Sequence, residues 1–172
     1  MISVTREHEI CAGHRVMGHE GKCKNIHGHN YKFVMTLATD KLDSIGRVID
    51  FSVIKNLLCN WLEKEWDHKM ILKLDDPLAY TLLVYYKQPV YRIPLNPTAE
   101  NLAQYFADDI VPGLLLGTGV SLVEVTVWET SKCYATYKVK DADAARLRNT
   151  SGVVGKETQA SEEDIRKEQI LA

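Results

Sequence analysis

The chain has 172 residues, 45% apolar and 26% charged, with a formal charge of −2. That length suffices for one buried core, and the composition is ordinary for a globular protein. The near-neutral charge, with Lys and Arg scattered rather than striped, argues against a phosphate-backbone binder and so against a nucleic-acid partner. MISVTREHEICAGHR lacks the basic start and apolar run of an export signal, and no stretch is apolar for long enough to cross a bilayer, so no membrane is expected. Cys11, Cys23, Cys59 and Cys133 show no CxxC spacing and read as thiols of a reducing cytoplasm.

Residues 1–10 make a plausible first strand. The glycine-, histidine- and lysine-rich stretch that follows has no apolar period and reads as loop. From His29 to Thr39 the pattern alternates, with Tyr31, Phe33, Met35 and Leu37 on one face of a strand. The period then changes. Val53, Ile54, Leu57, Leu58, Trp61 and Leu62 form the stripe of a helix over 50–66, which Asp50 or Ser52 can cap. Val84 to Tyr86 and Val90 to Ile93 look like short extended pieces. Thr98 is a good N-cap for a second helix, whose buried face is Leu102, Ala103, Phe106 and Ile110 and whose end is set by Pro112-Gly113. Ser121 to Glu129 alternates again, and Cys133 to Val139 is the last strand, after a short turn. Two strands, a helix, short pieces, a helix and two strands describe an α+β domain with mostly antiparallel neighbours. It occupies 1–139. Residues 140–172 form a polar C-terminal extension, expected to be disordered or in part a brief helix capped at Ser161.

Four of the six histidines lie between residues 14 and 29. In extended backbone, His27 and His29 project to one face, and Gly28 between them leaves the other face open. His14 follows the first strand and supplies a third imidazole if the two strands pair. Three neutral imidazoles with an open fourth position suit a catalytic zinc. Cys23, four residues upstream of His27, is either a fourth ligand that closes the site or a base or nucleophile activated by Lys22 and Lys24. Cys11 and Cys59 read as core thiols. Asp67-His68 ends the first helix and is either an acid–base relay pair or a cationic helix terminus. Glu129, at a strand end, can accept two parallel hydrogen bonds from an N–C–N edge or be a polar terminus.

Taken together, A-G-H at 12–14, C-K-N-I-H-G-H-N-Y at 23–31, V-I-D-F at 48–51, D-H-K at 67–69, N-P-T-A-E-N-L-A at 96–103 and W-E-T at 128–130 resemble the 6-pyruvoyl-tetrahydropterin synthase superfamily. The three residues between Cys23 and His27 look like its bacterial carboxypterin branch, which serves queuosine biosynthesis. The resemblance implies His14, His27 and His29 as ligands of one zinc per subunit, and Cys23 as the catalytic thiol. It implies Asp67 and His68 as the relay pair, Glu129 as the carboxylate that grips the pterin, and Thr98 as part of the pocket lining. It implies conversion of 7,8-dihydroneopterin triphosphate to 6-carboxy-tetrahydropterin, acetaldehyde and triphosphate. The rival readings are the pyruvoyl reaction and a non-catalytic zinc or pterin module. It also implies the tunnelling fold (T-fold), a four-stranded antiparallel sheet with two helices on one face. Such subunits assemble as trimers stacked into hexamers, with sites at subunit interfaces. The chain departs from the family pattern at Cys11-Ala12-Gly13, in a longer stretch from Lys69 to Asn96, and in the extension after Val139.

Overall fold

A computed structural model describes residues 1–140; the extension expected beyond them, with its helix at Ser161, lies outside the described residues. Strands β1 (Ile2–His14) and β2 (His27–Thr39) pair antiparallel along their whole length, from Ile2 opposite Thr39 to His14 opposite His27. β1 therefore runs to His14, four residues beyond the expected end, because the partner strand itself begins at His27. Helix α1 covers 51–65, with a π-helical turn at Lys55–Cys59 between the α-helical segments Phe51–Ile54 and Asn60–Glu65. Of the two candidate caps Asp50 acts, its carboxylate accepting the Ser52 N–H at 2.8 Å.

The stretch between the two long helices contains more than two short pieces. Strand β3 (Met70–Lys73) and strand β4 (Val90–Ile93) flank helix α2 (Leu78–Val84). Val84 is thus helical, and Tyr85 continues the turn with an N–H to Thr81 O bond of 3.0 Å. The overlooked signal is Asp76-Pro77: the Asp76 carboxylate accepts the Leu78 N–H at 2.8 Å, and Pro77 is preset for a first turn. Ala79 then packs with Met70 and Leu72, with Leu78, Leu82 and Val90 partly buried around them.

Helix α3 covers 99–114, as Ala99–Tyr105, a π-helical turn Phe106–Ile110, and Val111–Leu114. It passes the expected stop at Pro112. The π turn resets the hydrogen-bond frame, so the missing Pro112 N–H falls at the start of a fresh turn, where it has no partner to lose. Strands β5 (Ser121–Thr130) and β6 (Cys133–Lys138) close the domain as an antiparallel pair.

The sheet order is β4-β3-β1-β2-β5-β6. Its four long strands form the expected antiparallel set. The two short strands make it six, and both run parallel, β3 touching β1 only at Gly13–His14 and β4 joining β3. One face carries the core: Ile10 and Ala12 of β1, the predicted Tyr31, Phe33, Met35 and Leu37 of β2, and Val125 and Val127 of β5, under Ile54, Leu58 and Leu62 of α1 and Leu102, Ala103 and Phe106 of α3. Phe33, Trp66 and Phe106 meet with ring centroids 5.6–6.0 Å apart. The odd residues of β1 face the uncovered side, so Cys11 is exposed while Cys59 is buried as expected. No helix among the described residues is long and apolar enough to cross a membrane.

Candidate metal centre

β1 ends on His14 exactly opposite the residue that opens β2, and all three imidazoles leave the sheet on the covered side. Gly28 lets the strands close up: a Cβ there would lie 2.9 Å from the Ala12 carbonyl oxygen. The ring centroids are 4.4 Å apart for His14 and His27, 5.1 Å for His14 and His29, and 5.0 Å for His27 and His29. One ligand nitrogen from each lies within 4.8 Å of the others, so the three could hold a metal ion.

The tautomers sharpen this. His14 Nδ1 lies 2.6 Å from the Pro97 carbonyl oxygen, and His27 Nδ1 lies 2.8 Å from that of Asn25. A carbonyl can only accept, so both Nδ1 atoms carry their protons and both Nε2 atoms present lone pairs. Those two Nε2 atoms face each other at 3.0 Å. Two lone pairs at that distance repel unless a cation lies between them. Zinc–nitrogen bonds of about 2.0–2.1 Å at tetrahedral angles put ligand nitrogens roughly 3.3 Å apart, close to what is observed. The carbonyl partners are the outer shell that fixes ring orientation in metal sites.

Burial reinforces the neutral state. His14 is 2% exposed, and desolvation pushes its pKa from 6.5 down to about 4, against the pull of Pro97. His29 is lowered too, mainly by burial. A histidine whose folded pKa lies below its unfolded value destabilises the fold as pH falls through the unfolded value, where the unfolded chain takes up the proton first. Metal-free protein is therefore expected to lose the stability tied to neutral His14 between pH 6.5 and about 4, and that contribution is spent below. The His14 contribution is about 3 kcal/mol at most, and urea unfolding of chelator-treated protein across that range measures it.

Cys23 sits in a 3₁₀ turn, Lys22–Lys24, on the loop between the two ligand-bearing strands. It is half-buried and does not belong to the three-residue ligand group. Its carbonyl takes the Val16 N–H at 2.8 Å, which closes the loop. Tyr31, two residues beyond His29, was read only as core. It is fully buried, its hydroxyl has no hydrogen-bond partner among the described residues, and burial, helped by Glu129 and Cys23, pushes its pKa up. Glu129 also acts on His29. The Tyr31 ring lies 5.6 Å from that of His14 and 5.4 Å from that of His29, so imidazoles and phenol share one end of the covered face.

Asp67 and His68 follow α1 and stand outside the three-histidine group. His68 Nδ1 is 2.7 Å from one Asp67 oxygen, and the other accepts the Cys11 N–H at 2.8 Å. Burial raises the Asp67 carboxyl, but the Cys11 N–H and His68 outweigh it and hold the pKa below the usual range. His68 has φ of 56°, an unusual left-handed conformation for a non-glycine residue, and its N–H binds Cys11 O at 2.6 Å. His68 borders an open cleft that Cys11, His27, His29, Asn30 and Gln88 also line. Among the described residues no hydrogen bond or ion pair joins it to Cys23. Thr98 accepts the Asn101 N–H at 3.3 Å and serves as the α3 cap. The residue before it, Pro97, was not singled out from the sequence, because a backbone carbonyl leaves no mark beyond the N-P-T stretch that places it.

Fold and site together define a T-fold protein with a three-histidine centre that could hold a metal ion. The chain belongs to the 6-pyruvoyl tetrahydropterin synthase family, which residues 3–140 match. It is 38% identical over 135 residues to the 6-carboxy-5,6,7,8-tetrahydropterin synthase of Rickettsia typhi, covering 78% of this chain and 98% of that one. The protein of the same name from Aquifex aeolicus is 37% identical over 125 residues, 68% of this chain and 76% of the relative. Among solved structures, the 6-pyruvoyl tetrahydropterin synthase of Caenorhabditis elegans superposes with a TM-score of 0.60 at 25% identity, over 81% of this chain and 96% of that one. An uncharacterized protein from Wolinella succinogenes shares the fold with a TM-score of 0.71 at 23% identity, over 81% and 98%.

Proposed function

We propose that this protein is a cytoplasmic, zinc-dependent lyase that converts 7,8-dihydroneopterin triphosphate, with water, to 6-carboxy-5,6,7,8-tetrahydropterin, acetaldehyde and triphosphate for queuosine or 7-deazaguanine biosynthesis. The observation that carries the metal is the pair of Nε2 lone pairs held face to face by two backbone carbonyls. The names of the relatives support the product.

His14, His27 and His29 would hold one zinc per subunit. When bound, the ion supplies Lewis-acid polarisation of side-chain oxygens. Glu129 accepts hydrogen bonds from the guanidine-like edge of the pterin and so aims the side chain at the thiol. Cys23 as thiolate removes and returns a side-chain proton, and His68, oriented by Asp67, is its acid–base counterpart. In a trimer or hexamer with sites between subunits, as the family resemblance implies, the relay pair would reach Cys23 from a neighbouring copy. Thr98, with its hydroxyl committed to the helix cap, contributes to the pocket wall.

The experiment is product analysis of zinc-loaded protein given 7,8-dihydroneopterin triphosphate. Released acetaldehyde supports the reading. Expulsion of triphosphate with the carbon chain retained would make this a 6-pyruvoyl-tetrahydropterin synthase, and pterin binding without turnover a non-catalytic module. Glu129→Gln replaces one acceptor by a donor that meets the pterin's own N–H, and charge-assisted bonds contribute roughly 1.5–3 kcal/mol each. Pterin affinity, measured by titration, is expected to fall about tenfold or more with zinc content unchanged.

A further inference from the structure

The stretch from 74 to 97, which carries α2 and β4, looks like an ornament on the sheet edge, yet both of its ends hold the chain that leaves β1. At one end, Asp76 takes the Arg15 guanidinium in a two-pronged grip, Nε at 2.7 Å from Oδ2 and Nη2 on Oδ1. The Asp76 side chain is wholly buried and that of Arg15 is 25% exposed. Burial raises the Asp76 carboxyl, and the Arg15 fork with the Leu78 N–H overrides it, so the group stays charged. At the other end, Asn96 makes two bonds of 3.0 Å to the backbone of Met17, to its N–H and to its carbonyl. Pro97 then receives the His14 Nδ1–H. Residues 14, 15 and 17 are therefore tied in turn to 97, 76 and 96, while Gly13 and His14 pair with Met70 and Ile71 of β3.

We propose that segment 74–97 is a clamp that sets the position of the metal ligand His14, with the buried Arg15–Asp76 fork as its positioning element. A buried ion pair is a poor way to gain stability, since apolar residues of similar volume often do as well. What a fork supplies is direction, because two parallel bonds fix the plane and the approach of the guanidinium. Arg15 follows His14 directly, so fixing its side chain fixes the backbone from which the imidazole departs. This inference rests on the reading of the three imidazoles as metal ligands.

Asp76→Asn is the informative variant. It keeps the Oδ1 acceptor that caps Leu78, but it puts an NH2 donor against the Arg15 Nε–H and so breaks the fork. Zinc affinity of the full chain is measured by competition with a chromogenic chelator, and ligand geometry by the visible absorption of the cobalt(II)-substituted protein. The expected result is zinc binding weaker by roughly tenfold or more, as for partners outside the ligand set in other metal sites, with displaced cobalt bands and helix content retained. Arg15→Lys, which keeps the charge and loses the fork, is expected to do the same. Unchanged affinity in both variants overturns the clamp. So does weaker binding with unaltered cobalt bands, because loosening of the whole fold would then explain it. A wild-type chain that takes up no metal at the three imidazoles overturns the metal reading itself.

Discussion

Cys23→Ala protein is expected to retain its zinc and to lose turnover of 7,8-dihydroneopterin triphosphate by about two to four orders of magnitude, the usual contribution of a positioned proton-transfer group. The two halves of this result come from separate features. The thiol lies outside the three-imidazole group, so the metal should not notice its removal. Yet it sits on the loop joining the two ligand strands, in electrostatic contact with Tyr31 at the same end of the sheet. Metal analysis and product formation on one preparation decide the matter. Loss of zinc would make Cys23 a fourth ligand and the centre a closed, structural one. Alkylation is a poorer test than substitution, because Cys11 and Cys133 are exposed and would react as well.

The second large effect is expected on the metal. His27→Ala and His29→Ala should each strip zinc and abolish turnover while leaving a folded chain. The core that holds β2 lies further along the strand, at Tyr31, Phe33, Met35 and Leu37, all fully buried, whereas His27 and His29 are half-buried at its mouth. Circular dichroism with metal analysis tests this. Cooperative unfolding of the wild type on chelation at room temperature would instead mean that the ion holds the fold.

How much of this could be read from the residues alone depends on whether a feature leaves a local mark. The strand from 29 to 39 and both long helices were legible because burial on one face imposes a period of two or 3.6. The HxH pair was legible for the same reason, since i and i+2 share a face. Strand β3 was not, because three consecutive apolar residues, Met70, Ile71 and Leu72, buried beside a parallel neighbour do not alternate. The helix at 78–84 was missed because the run of Leu, Val and Tyr around residue 84 suggests a strand, while the Asp76-Pro77 start is only two residues long. Tyr31 continued an apolar alternation, and nothing local distinguishes a phenol that packs from one whose hydroxyl ends near a thiol and a carboxylate. The outer partners of His14 and His27 are backbone carbonyls, which no side chain announces.

The attachment of β3 and β4 has a consequence for how such a chain can drift over generations. β3 meets β1 only at Gly13 and His14, β4 pairs with β3, and the stretch that carries them on is fastened at Asp76 and again at Asn96–Pro97. The exposed turn between α2 and β4 can lengthen, shorten or change character without moving the ligand, since the closure cost of a longer surface loop grows only slowly with its length. Tyr85 and Tyr86, both exposed, stand in that permissive interval. The loop from 15 to 26 has no such licence: a ligand strand leaves from each end, Arg15, Met17 and Val16 are tied within it, and Cys23 must arrive at one place. Variation in this lineage should therefore collect between 83 and 89 and be purged between 14 and 29.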